Sequence, residues 1–316
     1  MSQRKISVLF AETRSVANVV ALAQRSEALG FHGMFLGSAF GIDPVMALAH
    51  AGTHTERITL GVAVVPTWPR HPQVMAQQAA TANSMCGGRF RLGLGPSHAP
   101  VMQRLGIEFD RPISHLREYL TIVRALLADG KLMHQGERYQ VQGMLDVEGG
   151  GTPPVMLSAL REQMCRLAGA HADGVLPWLP SPDYIANVVV PNVAAGAASA
   201  NRAMPPVIAE FPAALTTDSD ELAQICAADL MIYPMMPFYR AMWEHAGIEL
   251  GDRKVAGGWS RAMIDASIAH GDEHALATRI DAYFAAGADE VIVSPMGTND
   301  AQRDDCLRVL ADIAKG

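Results

Sequence analysis

The stretch Gly88–His98, GRFRLGLGPSH, runs an apolar segment into two glycines around Leu94 and then into Pro96, Ser97 and His98. Small residues followed by a histidine suit close approach to a flat or phosphate-bearing ligand, because glycine has no Cβ to hold it off. An imidazole titrates near neutral pH, so His98 is a candidate general acid, general base or substrate anchor. The competing reading is packing, in which the glycines admit close neighbours and His98 caps a helix. Residue types and spacing leave both open. A dinucleotide fingerprint is excluded, since it needs a third glycine where His98 stands and a strand at the opening of a βαβ unit.

Other residues offer weaker chemistry. His50 and His54 stand four apart, a metal-ligand spacing. No third ligand is near, so no metal is expected. Trp68, Arg70 and His71 share the segment WPRHP, Trp178 lies in LPWLP, and Tyr239 lies in YPMMPFYRAMW (233–243). Trp68, Trp178 and Tyr239 are candidate walls of an apolar substrate pocket; core packing is the alternative for each. No Ser-His-Asp set or GxSxG elbow is present. The four cysteines are scattered without a CxxC pair, which fits inert thiols in a reduced cytoplasm.

These residues need elements to position them. Eight apolar runs read as strands: KISVLF, GMFLG, ITLGVAVV, RFRLGLG, PVMLSAL, DGVLPWL, PPVIAEFPAAL and DEVIVSP. ITLGVAVV, β-branched and without a charged residue, suits a parallel strand buried on both faces. Helical spacing fills the intervals, as in the amphipathic HLREYLTIVRALLA (115–128). Asp43 followed by Pro44 marks a helix start, and Gly30 marks a helix end. Eight β/α units predict a closed (β/α)8 barrel of the TIM type, with His98 and its neighbours at the strand ends that carry chemistry. The 316 residues are read as one domain, 1–316, with insertions of about 129–152 and 228–262 at the C-terminal face; 129–152 reads as a loop. A net charge of −7 without basic runs argues against nucleic acid. No apolar run approaches the roughly 20 residues that span a bilayer.

GRFRLGLGPSH, with ITLGVAVVPTWPRHPQVMAQQAAT upstream and RPISHLREYLTIVRALLADG and PVMLSALREQMCRLAGAHADG downstream, resembles the luciferase-like flavin/deazaflavin oxidoreductases. More specifically, the chain resembles their coenzyme F-420-dependent, methylene-tetrahydromethanopterin reductase-like branch. The resemblance implies a barrel that binds a flavin or deazaflavin across its strand ends. It implies a non-prolyl cis peptide, placed here at Ala63–Val64, behind the central ring, with Gly95, Pro96, Ser97 and Ser38 around it. It also implies a phosphate held by backbone N–H groups at Ser158, Ala159, Leu160 and Arg161. Relatives usually carry a Gly-Pro pair where this chain has Arg161 and Glu162; Arg161 can grip a phosphate, whereas Glu162 opposes one. Ser38 and Ala39 stand where several deazaflavin dehydrogenases carry an acid and a catalytic histidine, so a sugar-phosphate dehydrogenase mechanism is not expected. His98 lies where some relatives carry a carboxylic acid. The implied activity is hydride transfer between reduced coenzyme F-420 and a small, largely apolar organic substrate. An FMN-dependent monooxygenase and a cofactor-less binding relative are the alternatives, and the resemblance implies a homodimer.

Overall fold

Short runs rich in Val, Ile, Leu and Phe become strands covered on both faces. The computed structural model describes residues 4–11, 13–37, 41–252 and 257–316. Its strands are β1 (Ile6–Phe10), β2 (Gly33–Leu36), β3 (Thr59–Val62), β4 (Val65–Pro66), β5 (Phe90–Gly95) and β6 (Lys131–Gln135). The others are β7 (Gln140–Met144), β8 (Val155–Ser158), β9 (Gly174–Leu176), β10 (Ile208–Ala214), β11 (Ala269–His270) and β12 (Glu290–Met296). Parallel pairing runs from β10 through β12, β1, β2, β3 and β5 to β8 and β9. Bridges Val175↔Val207 and Trp178↔Glu210 then return the sheet to β10 and close it. β4 continues the stave of β3 and pairs with β5. The barrel therefore has eight staves, formed by the eight runs that the sequence nominates.

Alternation along the staves sorts side chains to two faces. Val8, Leu60, Leu92, Val175, Phe211 and Val293 belong to the main core shared with the helices. Leu9, Phe35, Met156, Leu176, Ile208 and Ile292 form a separate cluster. The spacing of these residues places that cluster inside the barrel. Gly61 makes room for Phe35, since a Cβ there would lie 2.2 Å from the ring. Below this plug, two residues earlier on their strands, Arg91 Nη1 donates to Glu290 Oε2 at 2.7 Å and Ser7 Oγ to Glu290 Oε1 at 2.7 Å. Arg91 on β5 and Glu290 on β12 belong to opposite staves, so their ion pair crosses the barrel floor.

Two features depart from the sequence reading. A two-residue strand, β11, pairs with the end of β10; it is too short to leave a periodic signal. The stretch 129–152 holds the antiparallel hairpin β6–β7 instead of a loop. Leu132 and His134 on one strand and Val141 and Gly143 on the other alternate with exposed residues. That pattern covers the helices Pro72–Met85 and Pro112–Asp129. The glycines and charges around it hide the alternation in the sequence.

The hairpin tip is tied down by one carboxylate. Glu118 accepts from the backbone N–H groups of Glu137, Arg138 and Tyr139 at 3.0–3.2 Å. Burial raises its pKa, but these donors and His134 outweigh it and hold the group below the ordinary 4.5. A depressed carboxylate contributes stability that is present above the unfolded pKa and is lost as the pH falls through the folded one. The protection factors of the amides at 137–139 are therefore expected to fall as the pH drops below 4.5, ahead of those in the barrel strands. Glu118→Gln should expose these amides already at neutral pH; unchanged protection would remove this role.

Candidate functional site

A cavity of about 1220 Å³ opens at the C-terminal ends of the staves. That is the end where parallel barrels place their chemistry. Drug-sized ligands occupy sites of roughly 300–1,000 Å³, so this cavity has room for a large cofactor and a second small molecule.

One wall is built by the interruption between β3 and β4. The Ala63–Val64 peptide bond is cis, at the position the resemblance implies, and both residues line the cavity. Gly95, Pro96 and Ser97 line it beside them. Ser97 adopts φ 61°, a left-handed conformation that turns the chain out of β5. The glycines of β5 serve packing first. A Cβ at Gly93 would lie 2.0 Å from the Val62 carbonyl oxygen, and one at Gly95 would lie 2.6 Å from Val64 Cγ2. They let β5 close against the interrupted stave, and Gly95 also reaches the cavity.

A second wall follows β8. Ser158, Leu160 and Arg161 line the cavity, together with Glu162, Gln163 and Met164 in the first turn of the helix Glu162–His171. The first-turn N–H groups of a helix have no partner inside the helix and favour an anion. Among the described residues the Arg161 side chain makes no hydrogen bond or ion pair, so its guanidinium is available to an anionic group. Ala159 does not join them: it is buried in the main core, 1 % exposed, and its N–H donates to Leu176 O. Tyr184 Oη donates to Leu160 O at 3.0 Å and holds this loop in place.

The opposite side is aromatic. Tyr239, on the helix Pro237–His245, meets Tyr233 edge to face at 4.9 Å, and Tyr233 lies 6.0 Å from Trp178. His98 sits 6.0 Å from Tyr239 and occupies the N-cap position of the helix Ala99–Arg104 without a side-chain cap bond. Its Nδ1 is buried with no hydrogen-bond partner among the described residues. Burial lowers its pKa, so the ring is neutral at pH 7. Burial also pushes the Tyr239 phenol upward.

The structure thus gathers His98, Trp178 and Tyr239 with Ala63, Val64, Gly95, Pro96, Ser97, Ser158, Leu160 and Arg161 around one cavity. Trp68 is a correction, for it lies outside the lining. Its ring stacks on His115 at 3.7 Å and 5°, with the Arg138 guanidinium 5.4 Å from its centroid. Its job is to join the loop after β4 to the hairpin tip. Ser38 lies outside the described residues. Tyr233, the first residue of the aromatic segment 233–243, also lines the cavity, as does Glu210, which the sequence reading missed. A signal for Glu210 was present: it is the one charged residue in PPVIAEFPAAL.

The sequence model of a family described as luciferase-like monooxygenase matches residues 4–290. The chain is similar to a 5,10-methylenetetrahydromethanopterin reductase of Methanolobus tindarius, 27% identical over 224 residues, which are 71% of this chain and 68% of the relative. In fold it resembles an F420-dependent secondary alcohol dehydrogenase solved with an F420-acetone adduct, with a TM-score of 0.82 and 16% identity over 99% of this chain and 98% of that one. It also resembles the oxygenating constituent of 3,6-diketocamphane monooxygenase from Pseudomonas putida, solved with FMN. There the TM-score is 0.75, with 16% identity over 99% of this chain and 98% of the other.

Proposed function

The chain belongs to the luciferase-like monooxygenase family, and from that premise we propose that it is an oxidoreductase moving a hydride between reduced deazaflavin, coenzyme F-420, and a small, largely apolar organic substrate. The observation that carries this reading is the pairing of two walls on one cavity. A side-chain-poor surface at Ala63, Val64 and Gly95 suits a planar ring, and the start of the helix Glu162–His171 with an unengaged Arg161 suits a phosphate. Ala63, Val64, Gly95, Pro96 and Ser97 would hold the ring, and Ser158, Leu160 and Arg161 the phosphate end. When bound, the deazaflavin supplies the two-electron chemistry. The protein binds it, shields it from water and presents an aromatic wall to the substrate. Similarity to a relative named as a coenzyme F420-dependent oxidoreductase, 32% identical over 184 residues, favours deazaflavin over FMN.

Titration of the cofactor-free protein with coenzyme F-420 and with FMN tests the proposal. Saturable deazaflavin binding with weak FMN binding is expected. Tight FMN binding with substrate-dependent oxygen uptake would instead support the monooxygenase reading, and binding of neither would support a relative that has lost its cofactor. Arg161→Ala should weaken deazaflavin affinity roughly tenfold and reduce its salt dependence, as loss of a charged phosphate contact requires. Unchanged affinity and salt slope would assign the phosphate to the helix amides alone.

A further inference from the structure

Glu210 is the one ionisable residue of β10. Alternation places it on the face of Ile208, which belongs to the barrel plug, and one step nearer the mouth. In an eight-stave barrel the stave of β10 stands opposite that of β3 and β4. Glu210 therefore looks across the mouth at Ala63 and Val64. It is 3 % exposed, lines the cavity, and its Oε1 has no hydrogen-bond partner among the described residues. The groups set around it are Glu290 on β12, Tyr233 and Tyr239 from the segments over the mouth, and Trp178 bridged to it from the stave of β9. Burial and the Glu290 charge push the Glu210 pKa up to about 8.

We propose that Glu210 is a carboxylic acid that donates a hydrogen bond, and during turnover a proton, to the oxygen of an uncharged ketone or aldehyde held between it and the Ala63–Val64 wall. This rests on the oxidoreductase reading above and names its substrate class. A buried carboxyl without a partner is costly unless a ligand satisfies it. A neutral carbonyl oxygen among aromatic rings is such a partner. A carboxylate or phosphate substrate is a poorer one, with Glu290 on a neighbouring stave. In the reducing direction a hydride reaching the carbonyl carbon forms a C–H bond and breaks the C=O π bond. The oxygen keeps that electron pair and takes the Glu210 proton, giving an alcohol. The carbonyl compound is reduced, the dihydro-deazaflavin is oxidised, and the Glu210 carboxylate regains its proton from water at the mouth.

The first test uses the protein without added cofactor. At pH 7 its infrared spectrum should contain a protonated-carboxyl C=O band that is absent in Glu210→Gln. Acetophenone should bind at least tenfold more tightly than ethylbenzene or benzoate, and Glu210→Leu should erase that preference. Glu210→Gln keeps an N–H donor, so it should retain acetophenone binding. In the loaded enzyme it should lose about a hundredfold in kcat with little change in KM, since an amide cannot release a proton. A raised folded pKa also predicts stability that is full below 4.5 and declines as the pH rises toward 8; Glu210→Gln should flatten that decline. Absence of the acid band, or equal binding of acetophenone and ethylbenzene, would overturn the proposal. If the band and preference hold while neither deazaflavin nor FMN binds, the oxidoreductase reading fails and the carbonyl site stands.

Discussion

Arg91→Leu should destabilise the folded chain by about 3–5 kcal/mol at pH 7, the usual cost of leaving one member of a buried ion pair alone. Glu290 is 3 % exposed and receives Arg91 Nη1 at 2.7 Å, while Arg91 Nη2 lies 3.1 Å from His32 Nε2. Leucine fills some of the volume but leaves the carboxylate with Ser7 as its hydrogen-bond donor. The side chain of Arg91 is 19% exposed, so water can reach part of the site, and the lower end of the range is expected. Denaturant unfolding of the two proteins measures the difference. Adding Glu290→Gln to Arg91→Leu should recover part of the loss, because the stranded charge is then gone. A single variant within about 1 kcal/mol of wild type would mean that the floor is wetter than this geometry implies.

The second large effect is expected at Gly93. An alanine Cβ would stand 2.0 Å from the Val62 carbonyl oxygen, 2.9 Å from Leu176 Cδ1 and 3.1 Å from Val64 Cγ1. The first of these is backbone of the neighbouring stave and cannot rotate away. Overpacking costs about 1–3 kcal/mol where side chains can adjust, and Gly93→Ala should reach or exceed the top of that range. Because Val64 lines the cavity, any variant that folds should also bind cofactor more weakly. The more modest contact at Gly95, 2.6 Å from a side-chain methyl group, predicts a smaller stability loss for Gly95→Ala with a comparable loss of binding. Calorimetric melting of both variants, followed by cofactor titration, separates the effects. A Gly93→Ala protein that melts like wild type would contradict the close approach of β5 to the interrupted stave.

The barrel was legible because its signal is repeated eight times and depends on composition. A run such as ITLGVAVV carries no charge and one hydroxyl, and that suffices to bury both faces of a strand. The hairpin at 131–144 was not legible, because KLMHQ turns only Leu132 and His134 toward the helices, QVQGM only Val141 and Gly143, and the rest face solvent. The cavity lining was legible where a motif ties it to the chain, as at Gly95–His98 and at Ser158, Leu160 and Arg161. It failed where proximity arises from closure. Glu210 and the Ala63–Val64 wall are separated by about half the sequence and meet only because the eighth stave joins the first. Trp68 shows the opposite error: the type and place suit a pocket, but His115 takes its ring, and that partner is fixed by packing between distant segments.

The sealed lower end of the barrel governs traffic. With Leu9, Phe35 and Ile292 filling the middle and the Ser7–Arg91–Glu290 layer beneath, the described residues leave no rear exit through the interior for a spent ligand. Under the proposed function a cofactor and a substrate both enter from the strand ends, so the more deeply lodged one arrives first and departs last. Steady-state kinetics should then show a compulsory sequence, with excess of the outer guest trapping the inner one and slowing its release.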